Sequence, residues 1–172
     1  MNSEVTMKSV DISKKNTYTK LGYDSEDVKG IVEAMNLVLA NYHVYFQKLR
    51  NYHWNVTGVD FFDLHEKFEE LYTRAFEDID NIAERIRVYG EKPMSLMKDY
   101  LENAEISETG TDLSSDEMIA DVLHDIELML GFFMDAVNES IDIGDLAGER
   151  MFNDMVRFFE KEHWMLTAFA SK

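Results

Sequence analysis

The stretch Ile31–Tyr52, IVEAMNLVLANYHVYFQKLRNY, decides the fold, because its apolar side chains fall at Ile31, Met35, Val38, Tyr42, Tyr45, Leu49 and Tyr52. Steps of four and three alternate without a break, the period at which one side of an α-helix faces a bundle seam. The spacing predicts a helix over roughly 25–54, ended by the NVTG turn. Downstream, a second tract carries Phe61, Leu64, Phe68, Leu71, Ala75, Ile79, Ile82 and Ile86 on one face and stops near Gly90, with Pro93 following. A third begins at a cap-like SSDE, read with Ser115 ahead of Asp116 and Glu117, and shows Ile119, Val122, Ile126, Leu130, Phe133 and Val137 before the glycine of IDIGD. A fourth runs from about Asp145 to Phe169 through Phe152, Met155, Phe159 and Leu166. One proline and eight glycines leave these tracts free of helix breakers, so the chain is expected to be an all-α four-helix bundle.

The connection over residues 91–113 is too long for a simple turn and is expected to cross the length of the bundle, with a short helix of its own in MSLMKDYL. Residues 1–22 lack periodicity and are expected to form a mobile N-terminal tail, which leaves 23–172 as the bundle domain. The 17 basic and 34 acidic side chains give a formal charge of −17, which disfavours polyanionic partners and attracts cations. Without cysteine there is no disulfide, thiolate zinc site or iron–sulfur cluster, and any metal must sit on oxygen and nitrogen. No apolar run approaches the ~20 residues of a membrane span, and MNSEVTMKSVDISKK has no apolar segment behind its charges, so no membrane span and no secretory signal are expected.

On the second helix, His65, Glu69, Tyr72, Phe76, Asp80 and Glu84 form a stripe on a shoulder roughly 100° from the centre of the core face. A purely solvated shoulder has no need of Tyr72 and Phe76 at its middle. His65 with Glu69, and Asp80 with Glu84, are each spaced four apart and able to share one ion. The two pairs are separated along the helix by roughly 22 Å, so one chain cannot bring both to one metal. Two chains can, if these helices lie antiparallel across a two-fold axis near residues 74 and 75. His53 joins the set because it continues the Leu39, Phe46 stripe of the first helix to its last turn, beside the start of the second. Two imidazoles and three carboxylates suit Fe(II), Mn(II) or Zn(II), and spacing alone does not choose among them. Trp54 lies next to this set as an oxidisable indole, whereas His43, His124, His163 and Trp164 read as packing or surface residues.

HWNVTG from His53, FFDLH ending twelve residues later at His65, Asp80, the AER around Glu84 and the terminal EKEHWMLTAF together resemble the Dps family, the mini-ferritins. The resemblance extends from about residue 25 to the end of the chain. It implies a ferritin-like bundle with a short helix midway in the crossing, assembled into a dodecamer built from two-fold dimers. It also implies a ferroxidase centre at each dimer interface that oxidises Fe(II), preferably with hydrogen peroxide rather than oxygen, and stores ferric mineral inside a cytoplasmic bacterial shell. The family's ligand positions fall on His53, His65, Glu69, Asp80 and Glu84; position 69 commonly holds aspartate in the family and holds glutamate here. Asp142, Asp145 and Glu149 fall where the family lines its three-fold pores.

Three other readings compete, one of them a non-catalytic bundle that uses the stripe of the second helix only as a dimer contact. A ferritin with an intra-bundle di-iron centre needs two E-x-x-H motifs, and only Glu160 with His163 fits, since the second helix has Arg87 where a histidine is required. A DNA-compacting protein needs a basic tail; Lys8, Lys14, Lys15 and Lys20 stand against Glu4 and Asp11, thin beside so acidic a body, so DNA binding is expected to be weak or absent.

Overall fold

The computed structural model describes residues 28–171 together with Leu21, Tyr23 and Glu26. The tail expected over residues 1–22, with its lysines, lies outside the described residues except for Leu21. Over described residues 28–171 five helices follow in order: α1 Val28–Asn55, α2 Phe61–Val88, α3 Met97–Asn103, α4 Ser115–Asp142 and α5 Leu146–Ala170. No strand occurs among the described residues. All seven seam residues of α1 are buried, as are Leu64, Phe68, Leu71, Ala75, Ile82 and Ile86 of α2. Phe61 and Ile79 lie at the core's edge.

The bundle consists of two antiparallel pairs, α1 with α2 and α4 with α5, and α1 also packs on α4. Lys48 near the end of α1 meets Asp121 near the start of α4, so those two helices run in opposite directions and α4 runs parallel to α2. The chain must therefore travel the bundle's length between α2 and α4. Three asparagines of α1 peg this crossing. Asn36 Oδ1 accepts from the Met94 amide at 2.7 Å. Asn41 Oδ1 accepts from the amides of Glu105 and Ile106, each at 2.9 Å. Asn51 Nδ2 donates to the Gly110 carbonyl at 3.1 Å. Between these pegs sits α3, whose Tyr100 ring stacks on His43 at 3.9 Å.

Helix ends follow local chemistry. The N-cap of α4 is Ser114, one residue ahead of the serine read from the sequence, because Ser114 stands three before Glu117 and the two exchange hydrogen bonds as a capping box. Gly144 turns α4 into α5 with φ 69°, a left-handed conformation that side chains resist. Asp145, placed by the family resemblance where pores are lined, is wholly buried within the subunit. It caps α5 through the Ala147 amide and accepts from Tyr23, Tyr89 and Arg85. Burial alone would raise its carboxyl, but the hydrogen bonds from Tyr89, the Gly148 amide and Tyr23, with the Arg85 charge, hold it below its ordinary value. Asp142 remains exposed and Glu149 half-buried at the same corner.

Candidate metal centre

The turn from α1 to α2 spans only residues 56–60, so the last turn of one helix lies against the first turn of the next. His53 and His65 meet there in a reciprocal pair. His53 Nδ1 lies 2.8 Å from the His65 carbonyl, and His65 Nδ1 lies 2.8 Å from the His53 carbonyl. A carbonyl only accepts, so each Nδ1 is the protonated nitrogen and each Nε2 keeps its lone pair for a metal. Both carbonyls belong to helix backbones: that of His53 is among the four that a helix C-terminus leaves without an intrahelical partner. The pairing thus satisfies backbone, tautomer and ring orientation at once.

The imidazoles stack, with ring centroids 3.7 Å apart and 20° from parallel. Phe61 stacks on the free face of His65 at 5.1 Å, and Tyr72 presents its edge to His53 at 5.4 Å. Glu69 follows one helical turn after His65. One ligand atom from each of His53, His65 and Glu69 lies within 4.8 Å of the others, the one such group of three or more among the described residues. Burial and the neighbouring Glu69 carboxylate, which takes a hydrogen bond from Tyr72, push the Tyr72 phenol above its ordinary value. Trp54 is 58% exposed, and Arg50 bridges its face at 4.8 Å to that of Phe46 at 5.3 Å.

Of the five expected ligands the subunit brings together three. Asp80 and Glu84 lie exposed further along α2, past Phe76, which is itself 64% exposed. None of Glu69, Asp80 and Glu84 forms an ion pair among the described residues, although basic side chains pair with several other acids of the chain. The chain therefore displays an imidazole-rich half-site, an acidic half-site and an aromatic surface between them.

Phe61, the two ligand carbonyls and Tyr72's bond to Glu69 were not assigned to the site from sequence. Phe61, four residues before His65, had a signal in its spacing, but it was absorbed into the core face. The intra-bundle alternative finds no support: Glu160 is exposed, and His163 pairs with Glu127 at 3.1 Å across the surface of α4 and α5.

Comparison with known proteins gives the family and the fold. The ferritin-like domain family matches residues 32–172. The chain is 38% identical over 148 residues to DNA protection during starvation protein 2 of Bacillus anthracis, covering 84% of this chain and 99% of that one. It is 40% identical over 139 residues to the DNA protection during starvation protein of Brevibacillus brevis, covering 81% and 93%. Among solved structures, the Dps protein of Vibrio cholerae, described as a member of a broad superfamily of ferritin-like diiron-carboxylate proteins, superposes with a TM-score of 0.83 at 34% identity, covering 87% of this chain and 94% of its own.

Proposed function

This chain belongs to the Dps family of ferritin-like proteins, and from that premise we propose that it oxidises Fe(II) at a centre shared between two subunits and stores the ferric product within a dodecameric shell. The observation that carries the reading is the split ligand set. His53, His65 and Glu69 converge on one side, and Asp80 and Glu84, acids without basic partners among the described residues, stand ready for a second copy. An antiparallel pairing of α2 helices about residues 74 and 75 seats each half-site against its complement and covers Phe76. Glu69 carries one more methylene than the aspartate common at this position, so its carboxylate reaches further towards the second iron position.

Three carboxylates stabilise Fe(III) over Fe(II), which lowers the potential and favours oxidation. With hydrogen peroxide as oxidant, two Fe(II) give up one electron each, the O–O bond breaks, and two protons complete two waters. Taking both electrons at one shared centre releases no hydroxyl radical, which makes the outcome protective; the preference for peroxide is what the family resemblance implies. Fe(II) is the substrate, and the −17 charge on each subunit draws it in. The same charge opposes DNA, so binding is weak or absent; a gel shift that survives about 150 mM salt would contradict this. The cytoplasm, where Fe(II) and peroxide meet, is the proposed location.

Subunit mixing tests the shared centre. His65→Ala with Glu69→Ala removes one half-site, and Asp80→Ala with Glu84→Ala removes the other. Each variant alone should oxidise Fe(II) no faster than buffer. Co-assembled in equal amounts, half of the dimers are mixed and each holds one intact centre, so about a quarter of the native rate should return. Mixtures as inactive as their parents would refute the split.

A further inference from the structure

Ferritin-like bundles characteristically hold metal between inward-facing carboxylates of their own helices. This subunit has inward carboxylates in abundance: each of its four long helices buries a charged residue, Lys48 on α1, Asp78 on α2, Asp125 on α4 and Glu162 on α5, and Asp145 is buried at the start of α5. Every one of the buried acids has a basic side chain of its own. Arg74 lies 2.9 Å from Asp78, Lys48 2.7 Å from Asp125, Lys67 3.2 Å from Glu162, and Arg85 pairs with Asp145. The acids of the metal centre have none. The protein thus sorts its carboxylates into those neutralised from within and those left for a cation from outside.

Lys48 is the sharpest case. Its side chain is 2% exposed, and its ammonium bridges two acids, Asp121 and Asp125, at 2.7 Å each. Tyr52 also donates to Asp121, at 2.7 Å. Tyr45, whose hydroxyl feels the charge of Asp125, is wholly buried with no hydrogen-bond partner for that hydroxyl among the described residues. Lys48 is also among the residues lining a surface cavity of about 300 Å³, with Asn51, Trp54 and Thr109. Ammonium-to-oxygen distances of this length are close to those of a divalent ion with oxygen ligands, about 2.0–2.6 Å.

We infer that Lys48 sets where this protein takes metal: its ammonium fills, between Asp121 and Asp125 and beside Tyr45, the place that a divalent cation would otherwise hold inside the bundle. The bound charge keeps substrate iron out of a dead-end site within each subunit and leaves the unpaired acids of α2 as its destination. Truncation of Lys48 should turn the interior into a metal site.

The test uses the full-length protein carrying His53→Ala and His65→Ala, so that the shared centre contributes no imidazole and iron oxidation is not the readout. Co(II) serves as the probe. Adding Lys48→Ala should lower the Tm, create about one further Co(II) equivalent per subunit by equilibrium dialysis, and let Co(II) raise the Tm by several degrees. Adding Lys48→Met, which removes the charge but keeps the space filled, should lower the Tm with no gain of Co(II). If Lys48→Ala fails to fold alone, recovery of helical circular dichroism on refolding with Co(II) supports the inference and absence of recovery overturns it. A folded Lys48→Ala protein with the Co(II) count of its parent also overturns it, and leaves the interfacial reading untouched.

Discussion

At the residue scale, a side chain's identity showed which chemistry was available, but its partners decided whether that chemistry was free. His53 and His65 were readable as a pair of candidate ligands because two histidines twelve apart flank a turn, which places them on facing helix ends. What no spacing displays is that each ring would be held by the other's carbonyl, since that bond depends on how closely the two helix termini approach. Asp145 shows the converse. A carboxylate at a turn in an acidic region reads as solvated, and only the arrival of Tyr23, Arg85 and Tyr89 from distant parts of the chain turns it inward. Asp125 carries a prediction of its own. Burial, offset in part by Lys48, pushes its carboxyl from 3.8 up to about 6. A raised carboxyl binds its proton more tightly in the fold, so its contribution is fully present below the unfolded value and is lost as pH rises through about 6. Asp125→Asn removes this dependence. The stability difference between Asp125→Asn and native protein should therefore grow in the variant's favour between about pH 4 and 7, by on the order of 3 kcal/mol at most, with the Tm difference following it. Parallel Tm curves across that range would rule the assignment out.

At the scale of elements, four helices and the short fifth were legible because apolar periodicity survives any detail of packing. The boundaries shifted by a residue or two where capping decided them, as at Ser114. The crossing between α2 and α4 was legible in length and direction but not in its fastening. Asn36, Asn41 and Asn51 sit in a helix whose neighbours are mostly apolar, and nothing in one chain tells that their amides hold a strand-like connection rather than a ligand. Asn41 bears most of this, being wholly buried and accepting from two successive amides. Asn41→Leu should strand both N–H groups and destabilise the subunit by about 2–4 kcal/mol. Faster hydrogen exchange at Glu105 and Ile106, with α2 unaffected, would locate the damage; unchanged exchange there would refute it.

At the scale of the whole molecule, the exposed aromatic surface of α2 is what the isolated subunit leaves unfinished. Phe76 and Trp54 face solvent here; Phe46 contacts the Phe76 ring at 6.4 Å and the Tyr72 ring at 6.1 Å, and Arg50 lies over both Phe46 and Trp54. Large exposed aromatics on a rigid helical face mark an association surface. Phe76→Glu should therefore separate the two-fold pair and bring Fe(II) oxidation down to the uncatalysed rate while helix content is kept. Mass photometry showing intact assemblies with native turnover would be incompatible with an interfacial centre. The proposal of a second copy comes from the distance between the two acid pairs, which is legible in the sequence; the contribution of Trp54 and Arg50 to the exposed aromatic face was not, because they join it through packing rather than through pattern.

The short turn over residues 56–60 has a consequence for the life of an unassembled subunit. Under the proposed function, a solitary chain would already offer three donors to a metal ion, since the turn brings both imidazoles and Glu69 together within one helical hairpin, while the acids that complete the centre would come from another molecule. Dilution would then uncouple capture from turnover: scarce subunits hold a metal ion without oxidising it, and abundance alone converts a scavenger into a catalyst.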